Sequence, residues 1–410
     1  MRTDYDILIA GGGIVGTTLA CALATPGLTV GLIDDHSPSP LPIMDTADTD
    51  YDLRVSAITL ASRNIFQNLN AWTGMQRTRV SPMREMQVWD AGGRGAIHFD
   101  SAEIGEPCLG FIIENRVILA ALFDCLQTFT DIEHLYPATI ENIQVDKTGA
   151  QTQLKDGRKL RARLLVGADG AQSHVREEAG IHTHGWSYGQ KAIVATVTTS
   201  RPHNETAWQK FLPTGPLAFL PLNHQHRCSI VWSTDAGNAE ILLRWEDAVF
   251  INALQTAFGD RLGEITSVSA RAGFPLALSH AESYVQPRLA LVGDAAHSVH
   301  PLAGQGVNLG IADACSLAEI ILDAHMDKKD IGAYSILRRY ERWRKGDNLT
   351  MLAITDGLNR LFGISATPVK RLRNIGLNAV NSMALIKNLL MRHATGLQGD
   401  LPNLSRRPAL

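Results

Sequence analysis

The sequence predicts an α/β fold in which a nucleotide-binding parallel sheet, assembled from distant stretches of chain, is interrupted by an inserted, mostly antiparallel sheet and followed by a helical region. Three observations predict it. Apolar runs rich in β-branched residues alternate with helical patterns near the N-terminus. Strand-then-glycine signals recur near Val166 and Val292. Between them, stretches such as 85–99 and 191–233 carry Thr, Val, Trp and Pro-Leu punctuation, the texture of antiparallel strands. The expected boundaries are 1–80, 111–185 and 281–330 for the discontinuous nucleotide-binding domain, 81–110 and 186–280 for the inserted substrate domain, and 331–410 for the helical region.

Composition bounds the function classes. A chain of 410 residues with 45% hydrophobic content can bury a sizeable core, as two interlocked domains or one large one. The 5 cysteines are odd in number, scattered, and form no C-x-x-C pair, which fits a reducing compartment. The uncharged stretch 7–24 follows Asp4 and Asp6 and is interrupted by glycines, so neither a signal peptide nor a membrane span is expected, and a cytoplasmic location is. A net charge of −3 argues against nucleic acid as a partner. From Leu337 onward, however, 13 Lys or Arg stand against 4 Asp or Glu, a net of +9 that leaves −12 for the rest and suggests that the tail meets an anionic surface.

The first segment begins with the strand pattern Tyr5 to Ala10, followed by Gly11, Gly13 and Gly16 in G-x-G-x-x-G spacing and a helical pattern through Leu23. Such glycines let a pyrophosphate approach a helix N-terminus, where unpaired amides and the helix dipole favour negative charge. Pro26-Gly27 ends the helix, and a second strand, Leu28 to Ile33, delivers Asp34, 23 residues after Gly11, where an acid can bond the ribose hydroxyls of an adenosine. Strand, helix, break, strand and acid in order predict a Rossmann-like unit. Asp35 is expected to face the other way.

The second segment, Leu164 to Gly170, is a buried-strand pattern ending in Asp169 and Gly170, with Ser173 and Arg176 beyond. The third, Leu289 to His297, repeats that logic, and Pro301 to Asn308 opens another helix. Asp294 at the strand end is placed to bind a chain of hydroxyls such as the ribityl of a flavin, and amides at the start of the helix near Gly306 and Val307 can face a ring that gains negative charge on reduction. His297 and His300 read more readily as packed, hydrogen-bonded residues than as acid-base groups.

Taken together, Gly11 to Gly16, Gly167-Ala168-Asp169-Gly170 and Gly293-Asp294 with its continuation through Asn308 resemble the class A flavoprotein monooxygenases. Leu53-Arg54-Val55-Ser56-Ala57-Ile58, the run Gly293 to Pro301 and the run Ala303 to Gly310 look like the ubiquinone-biosynthesis hydroxylases, over nearly the full chain. Val88-Trp89-Asp90, Ile113-Glu114-Asn115, Ala218 to Leu222, Cys228 to Ser233 and Arg338 to Arg342 look most like the members that hydroxylate a polyprenylated phenol at ring carbon C5.

The resemblance implies non-covalent FAD, reduction by NAD(P)H, and O₂ as co-substrate, with oxygen passing to the ring through a C4a-hydroperoxyflavin. Its cofactor residues map onto Gly11, Gly13, Gly16, Asp34, Asp169, Gly170, Asp294, Gly304, Gly306, Val307 and Asn308, with Arg54 and Arg116 at the flavin. Without the family pattern, Arg54 reads as a surface ion pair with Asp52. No catalytic side chain is assigned, and no metal-ligand cluster is visible. A dry pocket above the flavin ring is expected from the inserted sheet, with Phe211, Leu217, Phe219, Leu220 and Trp232 near the substrate and the Pro301 carbonyl at the phenol hydroxyl; each sheet residue reads equally as plain core.

In the basic tail, Leu372, Ile375, Ala379, Met383, Ile386 and Leu390 fall at helical spacing, with Arg371, Asn374, Asn378, Asn381 and Arg392 largely opposite. One amphipathic helix across 368–392 is expected to meet a membrane surface, or to pack its stripe on the FAD domain or a partner, including other ubiquinone-biosynthesis proteins. Three other activities remain open: hydroxylation at another ring position or of a small soluble phenol, reduction of a prenyl chain, and a non-catalytic flavin-binding scaffold.

Overall fold

The computed structural model describes residues 3–37, 51–298, 306–364 and 366–407. Among these residues the strands form three sheets. The first runs in the order Val285–Gln286, Leu289–Leu291, Lys159–Gly167, Tyr5–Ala10, Val30–Ile33, Ile132–Leu135, with Ala150–Leu154 and Ile140–Val145 attached to one side as an antiparallel flap. Tyr5–Ala10 pairs in parallel with both neighbours, and Ala10 lies opposite Gly167 on one side and Ile33 on the other. Leu291 pairs with Gly167 in turn. The three sequence segments therefore end side by side at one edge of the sheet, where an open α/β sheet binds its ligands. Helix Ile14–Leu23 packs against Asn115–Leu126 and Gly306–Met326. Burial of this sheet explains why its strands read as continuous apolar runs and not as alternating ones.

The second sheet has nine strands, in the order His297–Ser298, Ala272–Ala281, Thr183–Thr199, Arg227–Asp235, Gly215–Pro221, Thr206–Leu212, Glu85–Asp90, Ala96–Asp100, with Ile265–Val268 beside Thr183–Thr199. It is antiparallel except where Thr206–Leu212 meets Glu85–Asp90. Period-2 alternation gives it two distinct faces. One buries Ile193, Leu217, Phe219, Ile230 and Trp232 against Phe250, Leu254 and Phe258 of helix Asp247–Phe258. The other sends Ala207, Leu220 and Leu222 against Ala57 and Ile112 of a small third sheet, Val55–Ile58, Gly110–Glu114 and Ser81–Met83.

The region after Ile331 is helical through Ala394, as expected, but its helices are divided differently. Helix Tyr334–Gly363 is followed by two helices, Thr367–Ser382 and Ala384–Ala394, in place of one across 368–392. The break falls where the partner element changes. Asn378 and Asn381 follow the strand Ala96–Asp100, whereas Lys387 follows the turn Ser101–Ile104, and Ser382 Oγ turns back on the Asn378 carbonyl (2.9 Å). Beyond Ala394 the chain is a strap. The Asn64 amide donates to the Ser405 carbonyl (2.9 Å) and the Asn68 amide to that of Leu404 (2.7 Å), fastening the chain end to helix Leu60–Asn68. No helix among the described residues is long and apolar enough to cross a membrane.

Candidate functional site

The glycine turn is built by close backbone approaches. A Cβ on Gly11, whose φ is +106°, would stand 2.4 Å from the Ala168 carbonyl oxygen, and one on Gly16 would stand 1.9 Å from the Gly11 oxygen. A Cβ on Gly13 would meet nothing within 4 Å, so open space lies beyond it. The helix that starts at Ile14 has no side-chain cap and no acid in its first turn, which leaves its N-terminal amides free for an anion. Asp34 lies beside this turn. One carboxylate oxygen accepts the Gly12 N–H (2.5 Å) and the other the His36 N–H (2.8 Å), so the acid is oriented while each oxygen keeps a lone pair. Asp35, expected to face the other way, meets the His36 ring at 2.5 Å and stays close to Asp34. The ligand atoms of Asp34, Asp35 and His36 lie within 4.8 Å of one another, a grouping the sequence reading did not single out.

In the second segment Asp169 is engaged by its own loop: Ser173 Oγ donates to it (2.5 Å), and so does the Val175 N–H (3.0 Å). Arg176, buried, donates to the Ala171 carbonyl and to the Ala295 carbonyl, both at 3.0 Å, and so ties the second segment to the third.

The third segment carries the chief electrostatic feature. Asp294 is exposed to solvent, yet its surroundings are dense enough that desolvation raises its carboxyl above the usual range, with His297 and Arg54 pulling the other way. Gly293, at φ +59°, lies against Val15, and a Cβ on Gly310 would meet Val15 at 2.6 Å and the Gly293 backbone at 3.1 Å, so the first helix, the turn and helix Gly306–Met326 converge. Asn308 pins that helix: its side chain donates to the Ala57 carbonyl (2.7 Å) and accepts the Thr59 N–H (3.0 Å). Gly306 and Val307, half-buried, form the start of that helix. Pro301, Gly304 and His300 lie outside the described residues.

His297 is buried, with Nε2 2.5 Å from Asp313 Oδ2. Asp313 also accepts from Arg344 Nε (2.9 Å), the Asn348 amide (3.1 Å) and the Gly293 N–H (3.3 Å). Burial alone would raise the Asp313 carboxyl; His297 and Arg344 outweigh it and hold it below the ordinary value. This geometry makes His297 a clamp on the turn that carries Asp294.

The two arginines are held differently. The buried Glu114 carboxylate gathers the Asp52 N–H (2.7 Å), Arg79 Nε (2.8 Å) and Arg116 Nε and Nη2 (3.0 Å each), which fixes Arg116 along the strand-to-helix junction. Arg54 is exposed and lies 5.3 Å from the centre of the Phe274 ring, a half-buried side chain of the nine-stranded sheet. Asp52, the ion-pair partner that Arg54 would have had without the family pattern, accepts the backbone N–H groups of Arg54 (3.1 Å) and Arg116 (3.2 Å).

The expected pocket residues separate by face. Leu217, Phe219 and Trp232 are packed in the helix-covered core, which corrects the expectation that they line a pocket: odd positions of Gly215–Pro221 and the even positions of Arg227–Asp235 paired with them point to Phe250 and Phe258. Leu220 is on the opposite face, toward Ala57 and Ile112. Phe211 is also on that face but stacks on Phe362 (3.7 Å between centres), at a cavity of about 170 Å³ lined also by Tyr188, Pro213 and Pro216. Sequence reasoning missed Glu114, Phe274 and Asp313. Asp313 was findable, as a lone acid in the apolar helical run Ile311 to Leu317, where a buried charge needs a partner.

Residues 122–346 match a family described as FAD binding domain. Ubiquinone hydroxylase UbiL of Rhodospirillum rubrum is 42% identical over 404 residues, covering 98% of this chain and 92% of that protein. The 3-demethoxyubiquinol 3-hydroxylase of Escherichia coli is 36% identical over 392 residues, covering 96% and 98%. Among solved structures, p-nitrophenol 4-monooxygenase PnpA of Pseudomonas putida superposes with a TM-score of 0.79 at 18% identity, covering 97% of this chain and 99% of that one, a likeness of fold.

Proposed function

The chain belongs to the ubiquinone-biosynthesis hydroxylases, a family of FAD-dependent monooxygenases, and from that premise we propose that it hydroxylates the ring of a polyprenylated phenol at C5, with NAD(P)H as electron donor and O₂ as co-substrate. The observation that carries the reading is the meeting of the three strand ends in one sheet, with exposed Asp294 just beyond the third and Arg54, whose charge acts on that carboxyl, lying 5.3 Å from the centre of the Phe274 ring of the nine-stranded sheet. A cofactor held by the first sheet would meet a substrate lying on the second.

The residues fit FAD. In this reading the amides of Gly11 to Gly16 and the uncapped start of helix Ile14–Leu23 receive the pyrophosphate, Asp34 the ribose, Asp294 the ribityl hydroxyls, and Gly306 and Val307 the ring. Arg54 and Arg116 sit at the flavin, with Arg116 oriented by Glu114. Asp169, Gly170 and Asn308 act by holding their loops. Gly304 and Pro301, in the same sequence run, belong to this assignment through the family resemblance alone. Bound FAD supplies O₂ activation once reduced. The protein's part is to orient the ring of the phenol and exclude water, and Phe274, half-buried beside Arg54, is suited to both.

The test is turnover by the FAD-loaded protein with a polyprenylated phenol and NAD(P)H. The expected result is stoichiometric O₂ uptake and a product heavier by one oxygen atom, placed at C5 by fragmentation. Oxygen placed elsewhere on the ring retains the hydroxylase and rejects the position. Saturation of the chain without O₂ uptake rejects the hydroxylase.

A further inference from the structure

The helix pair Thr367–Ser382 and Ala384–Ala394 is amphipathic, and its orientation is opposite to that of an ordinary surface helix. Its polar side faces the protein. Asn378 Oδ1 accepts the Ala96 N–H (3.1 Å), Asn381 Oδ1 the His98 N–H (3.0 Å), and Asn374 Oδ1 the Gly95 N–H, so a ladder of asparagines caps the edge of the nine-stranded sheet. Arg373 is buried against Asp90 (2.6 Å), and Lys387 reaches Glu103 (2.7 Å). The apolar side faces outward: Leu372 is 71% exposed, Ile375 64%, Leu385 88% and Leu389 60%. The end of helix Tyr334–Gly363 continues this surface with exposed Leu358, Leu361 and Ile364.

The charge around the surface says what covers it. Residues 357–399 contain no Asp or Glu at all, and Arg371, Arg392 and His393 are exposed at its margins. A second copy using the same patch would bring cations against cations, with no acid in this stretch to pair them. A bilayer with anionic headgroups offers hydrocarbon to the leucines and negative charge to the rim. We infer that the outward face of the C-terminal helix pair docks on an anionic lipid bilayer, as an in-plane contact. This goes beyond the hydroxylase reading and does not depend on it.

The experiment is flotation of the full-length, FAD-loaded protein with substrate-free vesicles of phosphatidylcholine, with and without phosphatidylglycerol. The face predicts co-flotation with the anionic vesicles, weakening with salt, and a fall of at least about tenfold in the double variant Leu385→Glu/Leu389→Glu, at unchanged flavin content and melting temperature. A second variant, Arg371→Glu, should lose the preference for anionic lipid while keeping the fold. Flotation unaffected by the leucine variant overturns the proposal. So does failure to float, including the case of a dimer that the leucine variant dissociates, which would make the face a contact between copies. Any of these results leaves the enzymatic reading standing, because the vesicles contain no substrate.

Discussion

The two ends of helix Tyr334–Gly363 reverse the usual rule in different ways. Its first half buries polar and charged residues, Glu341, Arg344 and Asn348, whereas its last turns expose Leu358 and Leu361. In the first half each buried group has a named partner: Glu341 accepts the Tyr284 N–H (2.9 Å), and Arg344 and Asn348 complete the set around Asp313. Burying such charges costs several kcal/mol unless pairing offsets it, so the network adds definition to the Gly293 turn more than net stability. In the last turns Leu358 and Leu361 remain 41% and 40% exposed among the described residues, and apolar surface left open in this way marks a contact with something else. One helix thus joins the flavin-turn scaffold to the outward surface.

The largest expected effect breaks the first half. Asp313→Ala leaves His297 Nε2 and Arg344 Nε without their acceptor in a buried site and should cost about 3–5 kcal/mol in urea unfolding, with loss of bound flavin. Unfolding like that of the parent would show that the network is dispensable and remove its role as a clamp.

Asp294→Asn separates holding the cofactor from holding the fold. Its carboxyl is raised by desolvation, so between the ordinary and the raised value the folded protein binds more protons, and this group's contribution is lost as pH rises. The variant should therefore melt no lower than the parent without flavin, while flavin affinity falls roughly tenfold to a hundredfold. Fluorimetric titration and melting curves check the two arms.

A pH effect also belongs to the buried half. Desolvation, then Lys345, His297 and His184, push His280 down to about 4. Unfolded, it protonates near its ordinary value of about 6.5, so its contribution is intact above that pH and is lost as pH falls from there toward about 4. His280→Phe should flatten that part of the stability profile. An unchanged profile would assign the acid sensitivity to other groups.

Smaller effects test the outward half. Asn378→Ala removes one acceptor from the edge of Ala96–Asp100 and should cost about 1 kcal/mol, seen as faster amide exchange at Ala96. Leu385→Ser should change stability by less than about 0.5 kcal/mol, because that side chain is 88% exposed; a larger loss would mean that the outer surface is packed in solution.

Local pattern determined a good deal. The glycine spacing, the apolar strands and the acids at their ends are short-range features, since each strand, turn and helix start is specified by neighbours in sequence, and the structure brings Gly11, Gly167 and Leu291 to one edge of one sheet. Periodicity also told which residues share a face. It set Leu372 and Ile375 opposite Asn374, Asn378 and Asn381, whereas grouping Leu220 and Phe211 with Leu217, Phe219 and Trp232 in one pocket overlooked that they lie on opposite sides of the sheet. What covers each face was decided by tertiary structure alone. A period of two or of 3.6 residues separates two sides without saying which meets helix, sheet edge or solvent. Helix Asp247–Phe258 claimed the sheet face expected to line a pocket, and the unpaired amides of Ala96–Asp100 drew the asparagines inward and turned the leucines out. Burial depends on partners far away in the chain, and only the folded structure supplies them.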